Sequence, residues 1–88
     1  MEADFQLAAF ATNTAAVTAI QAAKLAEIPA AVMPTPRSIT ASCGLSLRFP
    51  KGMTEVIRSL LNEKLEPGLY KLYRADQLEN GRFDYMLI

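Results

Sequence analysis

The side chain best suited to chemistry in this sequence is the thiol of Cys43, the only cysteine among 88 residues. Gly44 follows it directly, and the stretch from Pro34 to Phe49 surrounds it. Prolines in the first half of this stretch exclude a helix, because each proline fixes φ and restricts the residue before it. Residues 45–49 alternate apolar and polar side chains, as a half-buried strand does. The sequence therefore predicts a loop that presents one thiol at the start of a strand.

The charges near this thiol are all positive. No acidic residue occurs between residues 28 and 54, whereas Arg37, Arg48 and Lys51 all lie in that range. Cationic neighbours lower the pKa of a cysteine, and the thiolate is the form that attacks, carries sulfur or binds soft ligands. We therefore predict that Cys43 is a reactive or cargo-bearing thiol.

Four residues near Cys43 are predicted to bind its substrate or an anion. Arg37 and Arg48 supply positive charge, and the hydroxyl of Ser42 is a hydrogen-bond donor. Gly44 has no side chain, so the backbone can come close to whatever the sulfur holds.

A second interpretation gives Cys43 no chemistry. Free cysteine is among the most buried residue types and often behaves as a small hydrophobe. The chain would then be a non-catalytic protein-binding or assembly module in which Cys43 is only structural. A small-anion sensor that uses Arg37 and the N-terminus of the first helix also fits the charge pattern.

Composition narrows the classes of function. Nine basic and nine acidic residues cancel, which gives no electrostatic reason to expect nucleic acid or an anionic membrane as a partner. The absence of histidine excludes Cys-His and Ser-His-Asp catalytic arrangements and argues against a metal site built on histidine and cysteine. We predict neither a metal nor a cofactor. A single cysteine also excludes an intramolecular disulfide.

The sequence indicates a cytoplasmic protein. Its first residues are acidic, where a signal peptide needs positive charge. Lys24, Glu27 and Pro29 interrupt the alanine-rich span 14–33 well before the ~20 apolar residues that cross a bilayer. A solitary unpaired thiol suits a reducing compartment.

Periodicity and turn residues predict the order β-α-β-β-α-β followed by one more strand. The first helix is expected to begin near residue 15, with Val17, Ile20, Ala16 and Ala23 on one face, and the second near residue 54. The first ends at about residue 27 and the second before Pro67-Gly68. The predicted strands are 5–11, 30–33, 44–49, 69–74 and 83–88. This order predicts one α+β domain over residues 1–88, a ferredoxin-like sandwich with both helices on one face of an antiparallel sheet and an extra C-terminal strand.

This arrangement predicts the surroundings of the loop. The first strand enters the first helix at the same sheet end where the second strand enters the loop. The segment Thr12-Asn13-Thr14 should therefore lie close to residues 34–43. The N-terminus of a helix offers unpaired N–H groups and a positive dipole end, which favour an anion.

Residues 28–49 resemble a small bacterial family of selenium/sulfur carrier-like proteins, through Pro-Thr-Pro-Arg followed by Ser-Cys-Gly. The likeness extends over about residues 5–49 and is fainter through the second helix. It implies a carrier rather than an independent enzyme, with Cys43 holding sulfur or selenium as a persulfide or selenyl sulfide. Arg37 and Ser42 are the motif positions expected to assist. The implied partners are proteins that donate and accept the chalcogen.

The last hairpin, after Arg74, lies outside the resemblance. A terminal strand at the edge of a sheet exposes unpaired backbone groups. We therefore predict a homodimer through this edge strand as a candidate assembly.

Overall fold

The computed structural model describes residues 1–39 and 44–88. It contains five strands and two α-helices in the predicted order. Their bounds are β1 Glu2–Phe10, α1 Asn13–Leu25, β2 Ala31–Pro34, β3 Leu45–Pro50, α2 Thr54–Lys64, β4 Tyr70–Gln77 and β5 Phe83–Leu87, with a short 3-10 helix, Lys51–Met53, before α2. The prediction of an α+β fold with two helices and an antiparallel sheet is confirmed.

The five strands form one sheet in the order β2-β3-β1-β4-β5, and every neighbouring pair is antiparallel. β1 lies at the centre, as its short apolar run predicted. In the register, Ala9 lies opposite Ser46 of β3, and Phe10 lies opposite Tyr70 of β4. The C-terminal ends of β1 and β2 therefore meet at one end of the sheet, beside the start of β3.

Side chains of the strands alternate between two faces and build two cores. On one face, which we call the helix face, strand residues pack in one cluster with buried residues of both helices; its strand members are Ala8, Phe10, Leu47, Phe49 and Leu72. On the other, which we call the loop face, the buried cluster consists of Phe5, Leu7, Ala9, Ile39 and Ala75. Ile39 belongs to the loop between β2 and β3, so this loop contributes one side chain to the loop face.

Helix α1 packs through alanines. Its five buried residues are Ala15, Ala16, Ala19, Ala22 and Ala23. Ala16 and Ala23 of the predicted face are buried, whereas Val17, which was predicted on the same face, is 47% exposed. Small side chains let a helix backbone approach the sheet closely, and the face that carries them turns Val17 outward.

Capping residues set the start of α1. Thr12 is the N-cap, and its hydroxyl oxygen accepts a hydrogen bond from the N–H of Ala15 at 3.0 Å. The cap was expected within Thr12-Asn13-Thr14, because hydroxyl and amide side chains accept from the first turn of a helix. Within the described ranges, neither helix has the length and apolar character that a membrane crossing requires.

Candidate functional site: the loop between β2 and β3

The loop between β2 and β3 is closed at its base by hydrogen bonds to the sheet. The N–H of Thr35 donates to the carbonyl oxygen of Gly44 at 2.9 Å. The hydroxyl oxygens of Thr35 and Ser46 lie 2.7 Å apart and share a hydrogen bond, and Ser46 is fully buried. The two ends of the loop are therefore held side by side at the sheet end where α1 begins.

Ile39 anchors the described part of the loop to the sheet. Its N–H donates to the carbonyl oxygen of Pro36 at 3.0 Å, which closes a tight turn through Arg37 and Ser38. Its side chain is only 6% exposed and belongs to the loop-face cluster. Burial of one isoleucine stabilises by about 1.5–3 kcal/mol, so Ile39 is a strong attachment for a segment rich in polar residues. Sequence reasoning missed this role; the signal was one apolar residue within a polar stretch.

The predicted site residues fall at different places. Cys43 and Ser42 lie outside the described residues, so their predicted roles remain predictions. Arg37 is exposed in the turn just before Ile39. Gly44 is exposed, and a Cβ built on it would meet no described atom within 4 Å. The described structure thus leaves open space beside the residue that follows Cys43.

Arg48 lies farther along β3 and makes its own contacts. Its guanidinium carbon is 4.0 Å from the centroid of the Phe5 ring, a cation–π contact on the loop face. Leu45 and Arg48 are three residues apart, which is about 10 Å along a strand. Arg48 therefore contacts Phe5 well beyond the closed base of the loop.

The charge of Arg48 acts on a tyrosine of β5. Partial burial raises the pKa of Tyr85 above its ordinary value of 10.0, and the positive charge of Arg48 lowers it by a smaller amount. Tyr85 also packs against the loop-face cluster. Arg48 thus contributes to a cluster of aromatic side chains around Phe5 and Tyr85.

Lys51, the third cation of the acid-free range, is 3.8 Å from a carboxylate oxygen of Glu2. Both side chains are about half exposed, and such surface ion pairs contribute little stability. Glu2 of β1 thus supplies a carboxylate close to Lys51, although residues 28–54 contain no acidic residue. Of Arg37, Arg48 and Lys51, Arg37 is therefore the cation within the loop between β2 and β3.

A shallow groove of about 470 Å³ lies at the opposite end of the sheet from the loop base. Asp4, Pro29, Arg48 and Pro50 are among its lining residues. It holds one cation and one carboxylate, so it has no strong preference for anions. Among the described residues, no group of three or more metal-ligating side chains is close enough to bind a metal ion.

Comparison with known proteins identifies the family. A family model described as "Putative Se/S carrier protein-like" matches residues 6–71, three quarters of the chain. The match runs from β1 through the loop and both helices into β4, and it leaves out β5. It confirms the resemblance seen in the sequence and extends it beyond residue 49. Neither the curated proteins nor the solved structures include a match. The chain belongs to the Se/S carrier protein-like family.

Proposed function

We propose that this protein carries sulfur or selenium on the thiol of Cys43 and delivers it to an acceptor protein. The observation that carries the proposal is the family match, which includes the only cysteine of the chain within its range. The position of Gly44 supports it. The residue directly after the thiol is exposed and hydrogen-bonded to the base of the loop.

The proposed transfer is an exchange at sulfur. The thiolate of Cys43 attacks the outer sulfur of a donor persulfide, R–S–SH, and forms a new S–S bond. The S–S bond of the donor breaks, and the donor leaves as the thiolate R–S⁻. Cys43 then holds –S–SH, and attack by an acceptor thiolate on the outer sulfur returns Cys43 to the thiolate. With selenium in the outer position the cargo is –S–SeH, and the electron count is the same.

The surroundings of the loop support an anionic sulfur. The base of the loop and the N-cap of α1 are at the same end of the sheet, and the positive end of a helix dipole stabilises a nearby anion. In this proposal Arg37 adds positive charge and Ser42 donates a hydrogen bond. Arg48 lies over Phe5, which belongs to the same buried cluster as Ile39 of the loop.

The fold supports a role as a carrier. A ferredoxin-like sandwich requires the strand order β2-β3-β1-β4, which this sheet has, with β5 added beside β4. It also requires both helices to share one core with the sheet, and one buried cluster contains residues of both. We infer that the chain has this fold and presents one loop to its partners. These are a persulfide donor and an acceptor protein, and a second copy of the chain is a third candidate. A reducing compartment such as the cytoplasm suits an unpaired thiol.

The test is loading of Cys43 by a small persulfide. The native protein is incubated with glutathione persulfide, and its intact mass is followed together with those of Cys43→Ser and Cys43→Ala. The proposal predicts a gain of one sulfur atom in the native protein alone, removed by an added acceptor thiol. If a control thiol peptide is loaded while Cys43 stays unmodified, the proposal fails.

The second candidate function is a non-catalytic assembly module. The observation that favours it is the exposed apolar surface of β5, where Phe83, Met86 and Leu87 are each more than a third exposed. In this alternative, Cys43→Ser retains all partner binding and the thiol is never loaded. Loss of partner binding in that variant would count against the alternative.

A further inference from the structure

The two edges of the sheet differ in what they offer to another strand. At one edge, the N–H of Thr35 donates a hydrogen bond to Gly44, next to β3. Because backbone groups alternate in direction along a strand, those of residues 31 and 33 also point toward β3. The outward backbone groups of β2 then belong to Val32 and Pro34, and proline has no N–H to donate. The edge at β2 is therefore short and provides a single donor.

The edge at β5 is longer and better supplied with donors. The N–H of Ile88 donates to the carbonyl oxygen of Leu72, and the carbonyl oxygen of Arg82 accepts from the N–H of Leu78. Alternation along the strand then turns the backbone groups of Phe83, Tyr85 and Leu87 away from β4. In the part of the chain that the structure describes, β4 is the one strand paired with β5. Natural sheets usually protect such an edge with prolines, lysines or bulges, and the strand Phe83–Leu87 contains no proline or lysine.

β5 exposes apolar side chains on both faces of the sheet. Leu87 is 62% exposed and Phe83 is 37% exposed on the loop face, where Phe83 also makes an edge-to-face contact with Phe5. Met86 is 48% exposed on the other face. Exposed apolar side chains beside unpaired backbone groups are what strand addition uses for binding.

The charges of β4 and β5 favour a second copy of the same chain as the occupant. Within the chain, Asp84 lies directly opposite Asp76, so two like charges face each other. Arg74 pairs with Asp76 through its Nε atom at 3.1 Å, while its Nη2 atom lies 3.7 Å from the sulfur of Met86, a weak acceptor. A partner strand that places a carboxylate opposite Met86 would bring it next to this guanidinium, and β5 itself has such a carboxylate at Asp84.

We propose that two copies of this chain pair through β5, antiparallel, with the two-fold axis at Tyr85. In this register Phe83 lies opposite Leu87 of the second copy, and all three outward residues of each strand form hydrogen bonds. Asp84 of each copy lies opposite Met86 of the other and approaches Arg74. A shift of the centre to Asp84 would place Asp84 opposite Asp84 and repel, whereas a shift to Met86 would move Asp84 away from Arg74 of the second copy. The product is a continuous ten-stranded sheet.

This proposal does not involve Cys43 and does not depend on the proposed function. A single pair of five-residue strands is a small interface, so we expect a weak, concentration-dependent dimer. Sedimentation velocity from micromolar to millimolar protein should show a shift from monomer to dimer. A monomer throughout this range would overturn the proposal.

A matched pair of leucine substitutions tests whether β5 is the interface. Leu87→Lys introduces a charge into the proposed strand pair and should weaken the dimer at least tenfold. Leu25→Lys makes the same change at an 87% exposed leucine at the end of α1 and should leave association unchanged. Equal effects of the two variants, or no effect of Leu87→Lys, would contradict the assignment to β5.

Amide hydrogen exchange tests the pairing without mutation. The amides of Phe83, Tyr85 and Leu87 should exchange fast at low protein concentration and slowly at high concentration. Those of Asp84 and Met86, which point toward β4, should change much less. Fast exchange of the three outward amides in a sample that is dimeric by sedimentation would place the interface elsewhere.

A disulfide tests the register. In a Cys43→Ser background, Tyr85→Cys places two thiols opposite each other across the axis, where hydrogen-bonded residues have Cα atoms about 5.5 Å apart, within disulfide range. Mild oxidation should give a covalent dimer. Asp84→Cys is the control and should cross-link more slowly. Faster cross-linking through Asp84→Cys would overturn the register with Tyr85 at the axis.

Discussion

Gly44 is the described residue nearest in sequence to the thiol, and a Cβ built on it would meet no described atom within 4 Å. Packing among the described residues therefore does not require glycine at position 44. The proposed function supplies a reason, which is access of a donor or acceptor to the neighbouring sulfur.

Gly44→Ala tests whether position 44 controls access to the sulfur of Cys43 without affecting the stability of the fold. The free energy of unfolding should change by less than about 0.5 kcal/mol, as for surface substitutions that disturb no contact. The rate of sulfur transfer to Cys43 should fall severalfold, because the added methyl group crowds the approach. Gly52→Ala is the matched control, since its Cβ would also meet no described atom. Equal transfer rates in both variants would remove the role given to Gly44.

The Arg48–Tyr85 pair gives a prediction about pH. Burial raises the pKa of Tyr85, and the charge of Arg48 opposes this rise. Arg48→Gln should therefore raise the pKa of Tyr85 further, while Arg58→Gln on α2 should not. NMR titration of the tyrosine ring carbons measures this shift. An unchanged pKa in Arg48→Gln would show that the guanidinium does not lie near Tyr85.

The sign of the stability change follows from the raised pKa. Below about pH 10, tyrosine is protonated in both the folded and the unfolded chain, so Tyr85 contributes no pH dependence there. Above that pH the unfolded chain loses the proton first. The stability contributed by the neutral phenol is then lost as the pH rises through the folded-state pKa.

At the scale of single elements, the start of α1 decides how firmly its N-terminus stays at the base of the loop. Thr12→Ala removes the acceptor for the Ala15 N–H and should lower the free energy of unfolding by about 1 kcal/mol. Thr14→Ala, an exposed substitution inside the helix, is the control and should have little effect. Denaturant unfolding measures both, and equal midpoints would show that Thr12 does not cap α1.

Most elements could be predicted from the sequence because their signals are local. The apolar stripe of α2, with Ile57 and Leu61 buried, and the turn at Gly81 before β5 are such signals. Ile39 could not be predicted as an anchor, since burial of one loop residue leaves no periodic pattern. Val17 was grouped with Ala16 and Ala23 on one helix face, but the two alanines are buried and Val17 is exposed.

Two of the three cations that are near Cys43 in sequence have different partners in the structure. Arg48 and Lys51 are close to Cys43 in sequence, but their contacts are with Phe5 and Glu2. A strand separates residues by more than 3 Å each, so neighbours in sequence soon part in space. Of these three cations, Arg37 is the one that lies in the loop between β2 and β3.

At the scale of the whole molecule, Ile39 packs the loop between β2 and β3 against the buried cluster of the loop face. Ile39→Ala should lower the free energy of unfolding by about 2–5 kcal/mol, and Ile39→Val by about 0.5–1.5 kcal/mol. Because Ile39 anchors the loop, Ile39→Ala should also change the alkylation rate of Cys43 in the folded protein. Ile57→Val, in the helix-face core, is the control and should change stability alone. An unaltered alkylation rate in folded Ile39→Ala would show that the packing of Ile39 does not affect the thiol of Cys43.

The central claim is that the sulfur of Cys43 is accessible and anionic near neutral pH. The most direct measurement is the pH dependence of its alkylation rate in the native protein, with the unfolded chain as reference. The account predicts a fast reaction with a midpoint well below ~8.5, the value of a free cysteine. A midpoint at or above that value, or a thiol that reacts only after unfolding, would contradict it.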